Sequence, residues 1–187
     1  MLSSEEAGGF IESVSMIEIE GALRSFKNDK SPGLDGWPIE FFIHFFDLMG
    51  RDLLQDVEYS RKSGRIAPSL NSTFLALIHK KDKPTTFVDF RPISLCNLIY
   101  NLISKIIVVR LKPHLDSHIS MEQFAFLKNC QIVEPIGITQ EILHTVKTKN
   151  TRALILKLDL VKAFDRVNLY YIRLILIQIG VPLMGVN

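Results

Sequence analysis

The chain has 187 residues, with 22 Lys and Arg against 20 Asp and Glu, so its net charge of +2 neither demands nor excludes a polyanionic partner. A composition of 47% hydrophobic and 22% charged residues excludes a disordered tail and describes a globular chain with a core. Two well-separated cysteines, Cys96 and Cys130, argue against a disulfide-stapled secreted scaffold and a four-cysteine zinc site. The acidic start at Glu5 and Glu6 is unlike a signal peptide, so an intracellular chain, nuclear or cytoplasmic, is expected.

The first 16 residues are weakly patterned and are expected to be partly disordered. Ile17, Ile19, Leu23 and Phe26 recur at roughly helical spacing and predict a short amphipathic helix over Ile17 to Lys27. Two glycines and a proline then make Asp29 to Gly36 a loop. Phe41 to Tyr59 reads as one helix with Phe42, Phe45, Phe46, Met49, Leu53 and Val57 on one side. Thr73 to Ile78 is an apolar run of strand length, and a breaker-rich stretch from Lys80 to Thr86 leads into Asp89 to Leu95. Cys96 to Leu111 is the longest helix, with Leu98, Leu102, Ile106 and Val109 on its buried face and Pro113 ending it. Its apolar run is interrupted by Asn101, Lys105 and Arg110, so it does not read as a membrane span. Ile136 to Val146 predicts a further helix. Arg152 to Leu160 is the most strand-like run, with Leu154, Leu156, Leu158 and Leu160 on one face. Tyr170 to Ile179 is a last helix, stopped by Gly180 and Pro182. Helices outnumber strands without regular alternation, which predicts an α+β fold.

Three groups carry candidate chemistry. Asp159, at the tip of the apolar strand, is either an oxygen ligand for a hard cation such as Mg²⁺, or a strand-end Asp that caps the next turn or pairs with Lys157 or Lys162. Lys80, Lys81 and Lys83, with Arg91, form the densest cation group. If the flanking strands make a hairpin, Lys80 and Arg91 face one phosphate; otherwise the lysines decorate a solvated turn. His114 and His118 lack the neighbouring Glu of a zinc-protease helix and read as surface residues. Cys96 and Cys130, with no partner nearby, read as small hydrophobes.

Taken together, five blocks resemble the reverse transcriptases of non-LTR (LINE-type) retrotransposons, plant ones especially. They are Lys30-Ser-Pro-Gly-Leu-Asp-Gly-Trp-Pro-Ile-Glu-Phe-Phe42, Asn71 to Lys80, Asp89-Phe-Arg-Pro-Ile-Ser-Leu-Cys-Asn97, Ile119 to Phe126, and Leu156-Lys-Leu-Asp-Leu-Val-Lys-Ala-Phe-Asp-Arg-Val-Asn168. The resemblance implies a right-hand polymerase, with fingers over about 17–150 and the start of the palm over about 151–187. It implies Asp159 as the first metal-binding carboxylate, the Leu160 carbonyl as a second oxygen for the metal, and Phe164 as the ring that excludes a ribose 2′-OH. Lys80 and Arg91 then grip the incoming triphosphate. RNA template, DNA primer, dNTP and Mg²⁺ are the implied partners, and two-metal transfer to a primer 3′-OH the implied reaction.

The sequence also departs from the family pattern. His79 stands where Pro is usual, Asn101 where Lys is usual, Asn129-Cys130 for Gly-Arg, and Glu134-Pro135 for Asp-Asn. The family's Gln-Gly motif and Asp-Asp turn are absent, so a truncated and catalytically inactive piece is expected. A binding-only remnant that uses Lys80 to Lys83, Arg91, Lys105 and Arg110 on RNA or primer-template is the alternative, as is a decayed product without function.

Overall fold

A computed structural model describes residues 4–120, 123, 133–158 and 166–182. Two compact units divide the chain, essentially Ser4–Arg110 and Leu111–Val181. Among the described residues the architecture is α+β, with helices and one two-stranded antiparallel sheet.

The first unit begins with α1 (Ser4–Ile11) and α2 (Met16–Arg24). The Ser15 side chain caps α2 by accepting from the Glu18 N–H at 3.2 Å, which satisfies one of the orphan donors of the first turn. This helix buries Ile19, Ala22 and Leu23, whereas Ile17 is 83% exposed. Two residues correspond to about 200° around a helix, so Ile17 and Ile19 cannot share a face. Within the segment expected to be partly disordered, Ser4–Ile11 forms α1 and the residues after it are tied to other elements. Arg61 Nη1 donates to the Ile11 carbonyl at 2.6 Å, Arg110 Nη1 to the Glu12 carbonyl at 2.9 Å, and the Val14 N–H to Glu58 Oε1 at 2.7 Å.

The predicted long helix is two, α3 (Ile39–His44) and α4 (Phe46–Ser63), joined at Phe45 with φ −100° and ψ 23°. The backbone ladder runs through the joint: Phe45 N–H donates to the Phe41 carbonyl at 3.0 Å, and Met49 N–H to that of Phe45 at 3.0 Å. Phe45 ends up exposed, while Phe42, Leu53 and Val57 are buried. Gly64 ends α4 in the left-handed region at φ 65°, a common helix stop.

α5 (Leu98–His118) buries Leu98, Leu102, Ile103 and Ile106. Val109, expected on that face, is 50% exposed; the next residue, Arg110, turns inward to Glu18 instead. Pro113 does not end the helix. Proline forfeits its own N–H bond but has a helical φ, and the ladder resumes beyond it, with Ile119 N–H on the Leu115 carbonyl at 3.0 Å. Ile19, Leu23 and Leu102 are the largest fully buried side chains of a single cluster that joins α2, α3, α4 and the first turns of α5.

In the second unit lie the end of α5, α6 (Val133–Thr148) and α7 (Leu169–Ile179). The Asn168 side chain caps α7 by accepting from the Tyr170 and Tyr171 N–H groups, and Gly180 at φ 100° stops it, as the sequence predicts. The predicted strand over Arg152 to Leu160 is not formed across its described part, 152–158, which is irregular and exposed, with Leu154 at 94% and Leu158 at 78%. Alternation supplies one apolar face, but a strand also needs a neighbour for its backbone groups, and residues 152–158 have none among the described residues. Leu160 lies outside the described residues.

Candidate functional site

The sheet is a hairpin of β1 (Thr73–His79) and β2 (Phe90–Cys96), antiparallel, with Thr73 opposite Cys96 and His79 opposite Phe90. The Lys80 N–H donates to the Asp89 carbonyl at 2.7 Å and carries the pairing one residue further. Residues directly opposite share a face, so Phe74, Ala76, Ile78 and Lys80 lie on the same side as Leu95, Ile93, Arg91 and Asp89. Lys80 and Arg91 are therefore diagonal neighbours on one face at the turn end, a separation within reach of long side chains. On the other face the His79 ring meets Phe90 edge-on, with 5.5 Å between centroids.

The turn is organised by Asp89. Its Oδ2 accepts from the N–H groups of Thr85 at 2.8 Å and Thr86 at 3.0 Å and lies 3.3 Å from both threonine hydroxyls. Its Oδ1 pairs with Lys81 Nζ at 2.9 Å. Thr86 and Asp89 form a capping box around a 3-10 turn at Phe87–Asp89. The Lys81 ammonium and then the Thr85 N–H hold the Asp89 carboxyl well below the ordinary carboxylate range. Lys80 Nζ donates to the Val88 carbonyl at 2.9 Å. The four cations are thus not equivalent: Lys81 is paired, Lys80 is tethered by a neutral acceptor, and Lys83 and Arg91 make no side-chain bond among the described residues.

At its other end the hairpin is fixed to the glycine loop. Asn97 is 5% exposed; its Oδ1 accepts from the Asp35 N–H at 3.3 Å and its Nδ2 donates to the Ser69 carbonyl at 3.2 Å. A Cβ on Gly33 would sit 2.5 Å from the Cys96 carbonyl oxygen, so only glycine allows this approach of loop to strand. Gly36, at φ 73°, closes the turn by donating its N–H to the Gly33 carbonyl at 3.1 Å. Cys96, read from sequence as a buried hydrophobe, is half-buried and accepts from the Thr73 hydroxyl at 3.1 Å.

Of the residues singled out from sequence, the structure brings Lys80 and Arg91 onto one face; Asp159, Leu160, Phe164 and Cys130 lie outside the described residues. Among the described residues no group of three or more His, Cys, Asp or Glu is placed to hold a metal ion. Arg110, counted among the candidate phosphate-binding cations, is spent on Glu18 at 2.7 Å and on backbone carbonyls. Lys105 lies over the Phe26 ring, 5.7 Å from its centroid. Sequence reasoning missed Asp89 as the organiser of the turn, although Thr86 and Asp89 have capping-box spacing.

Residues 78–184 match the family model described as Reverse transcriptase (RNA-dependent DNA polymerase), a stretch that starts at the turn end of β1 and includes Lys80 and Arg91. The chain belongs to the reverse transcriptase family. It is also 33% identical over 159 residues to the "Transposon TX1 uncharacterized 149 kDa protein" of Xenopus laevis, an alignment that covers 85% of this chain and 12% of that protein. Reverse transcriptases bind an RNA template, a primer and dNTPs and use divalent metal ions. No helix among the described residues is long and apolar enough to cross a membrane.

Proposed function

We propose that the chain is the fingers, about 17–150, and the start of the palm, about 151–187, of an RNA-directed DNA polymerase of a non-LTR retrotransposon, with motif blocks of the plant type. The observation that carries this reading is the pairing of Lys80 and Arg91 on one face of a hairpin at the beginning of the matched stretch. Arg91 offers a planar fork to two phosphate oxygens, and Lys80, whose ammonium is tethered by the Val88 carbonyl and by no carboxylate among the described residues, adds a point charge. Together they orient the triphosphate of an incoming dNTP. By its place in the motif block, Phe164 is the residue that would exclude a ribose 2′-OH. Asp159 and the Leu160 carbonyl are hard oxygen donors, the kind Mg²⁺ takes, and Mg²⁺ held there would neutralise charge on the phosphates. Two such donors are too few for two ions, and the sequence contains no Asp-Asp dipeptide, so the 187 residues bind substrate without extending a primer.

Titration with a dNTP and Mg²⁺ tests the grip. Arg91→Ala should weaken binding about tenfold, the scale of a charge-assisted bidentate contact, and Lys80→Ala somewhat less. Affinity unchanged in both variants would overturn the assignment. Primer extension on a homopolymer RNA by the same chain, if lost in Asp159→Ala, would overturn the binding-only part.

A further inference from the structure

The tip of the hairpin holds three lysines in four residues, yet its carboxylate treats them differently. Asp89 uses one oxygen for the backbone of the turn and the other for a single ammonium, that of Lys81 at 2.9 Å. Lys80 stands next to Lys81 in sequence but on the face of Arg91, where, among the described residues, its ammonium meets only the Val88 carbonyl at 2.9 Å. A neutral carbonyl leaves the charge of Lys80 intact and two of its three N–H donors unspent. A carboxylate at salt-bridge distance cancels most of the field that Lys81 would offer a passing anion.

We propose that Asp89 is a positioning and specificity residue: it removes Lys81 from the phosphate-binding set and fixes the 81–88 turn, so that the grip on a triphosphate is the pair Lys80 and Arg91. This rests on the proposed triphosphate role of that pair. A tip with Lys80, Lys81 and Lys83 all free would attract any polyanion by bulk charge; with Lys81 withheld, the Lys80 and Arg91 pair on one face favours a compact, doubly contacted phosphate group. The arrangement therefore favours the short triphosphate over the diffuse backbone of single-stranded RNA.

Asp89→Asn separates charge from shape. The amide oxygen still accepts from the Thr85 and Thr86 N–H groups, so the turn persists, while the charge that holds Lys81 is gone. Binding of inorganic tripolyphosphate and of a uridine homopolymer RNA is measured on the full chain. Lys81→Ala alone should change either affinity by less than twofold. Asp89→Asn should tighten the homopolymer by roughly threefold to fivefold, the range of an exposed ion pair, and Lys81→Ala added to it should cancel the gain. Amine labelling followed by mass spectrometry gives a second readout, with Lys81 labelled slowly in the native chain and faster in Asp89→Asn. A loss from Lys81→Ala as large as that from Lys80→Ala overturns the proposal, as does Lys81 labelling that is indifferent to Asp89. Should Lys80→Ala and Arg91→Ala leave tripolyphosphate binding unchanged, the triphosphate reading fails instead. Lys81 labelling and the homopolymer cycle then still decide whether Asp89 withholds Lys81.

Discussion

The helices of the first unit and the hairpin are both rich in large apolar residues, and they meet opposite fates. Leu102 is 0% exposed and Leu23 1%, while Phe74, Leu75 and Ile78 on β1 are each more than half exposed. The helices close a core because each offers one apolar stripe and three neighbours stand ready to cover it. A two-stranded sheet has two faces and covers neither, so its shape rests on backbone pairing, the Asp89 turn and the Asn97 tie. The lesson is a division of labour: the helical cluster holds the unit folded, and the hairpin holds its cations where solvent reaches them.

The largest effect that would test this division is Leu102→Ala. It should cost about 2–5 kcal/mol in urea denaturation, whereas Leu75→Ala should stay within roughly 0.5 kcal/mol of the native chain. Comparable losses would show that the exposed face of the hairpin is covered after all. Next comes the tie between loop and strand. Asn97→Ala strips the Asp35 N–H and the Ser69 carbonyl of their partner in a buried place, and about 1–3 kcal/mol of destabilisation is expected, read as a lower unfolding midpoint. A neutral result would free the hairpin from the glycine loop.

The smallest effect is in the pH dependence of the helical part. The Arg61 guanidinium, which donates to Glu58, and the Val14 N–H hold the Glu58 carboxyl down to about 2, from an ordinary 4.5. A depressed carboxyl stabilises the fold above its unfolded value and loses that contribution as the pH falls from about 4.5 towards 2. Glu58→Gln should therefore flatten the acid limb of a stability-against-pH curve and leave phosphate binding by the hairpin untouched. An unchanged acid limb would remove Glu58 from the account.

Several of these features are legible in the amino-acid order alone. The Thr73 to Ile78 run and the breaker-rich stretch after it are legible as a strand and a turn, while the hairpin, and with it Lys80 and Arg91 on one face, is only one of two readings until the register is known. Helix α7 is legible to within a residue because Gly180 and Pro182 are local stop signals. The strand expected over Arg152 to Leu160 is not formed across its described part, 152–158, because alternation says which face is apolar and nothing about whether a partner strand is present. Periodicity misjudges the buried face of α5 at one position, since Val109 and Arg110 differ by only one step around the helix and the choice falls to Glu18, 92 residues away.

By itself the sequence determined the family and most of the element order, and it supplies the residue types on which the proposed phosphate grip rests. Those follow from local propensity and from motif order, which the chain carries along its length. Only the tertiary structure decided which cations stay available. Lys81 and Arg110 look as free in sequence as Lys80 and Arg91, and their neutralisation by Asp89 and Glu18 depends on a turn and a helix contact that bring opposite charges to within 3 Å. Charge cancels over ångströms in space, and the sequence alone does not give those distances.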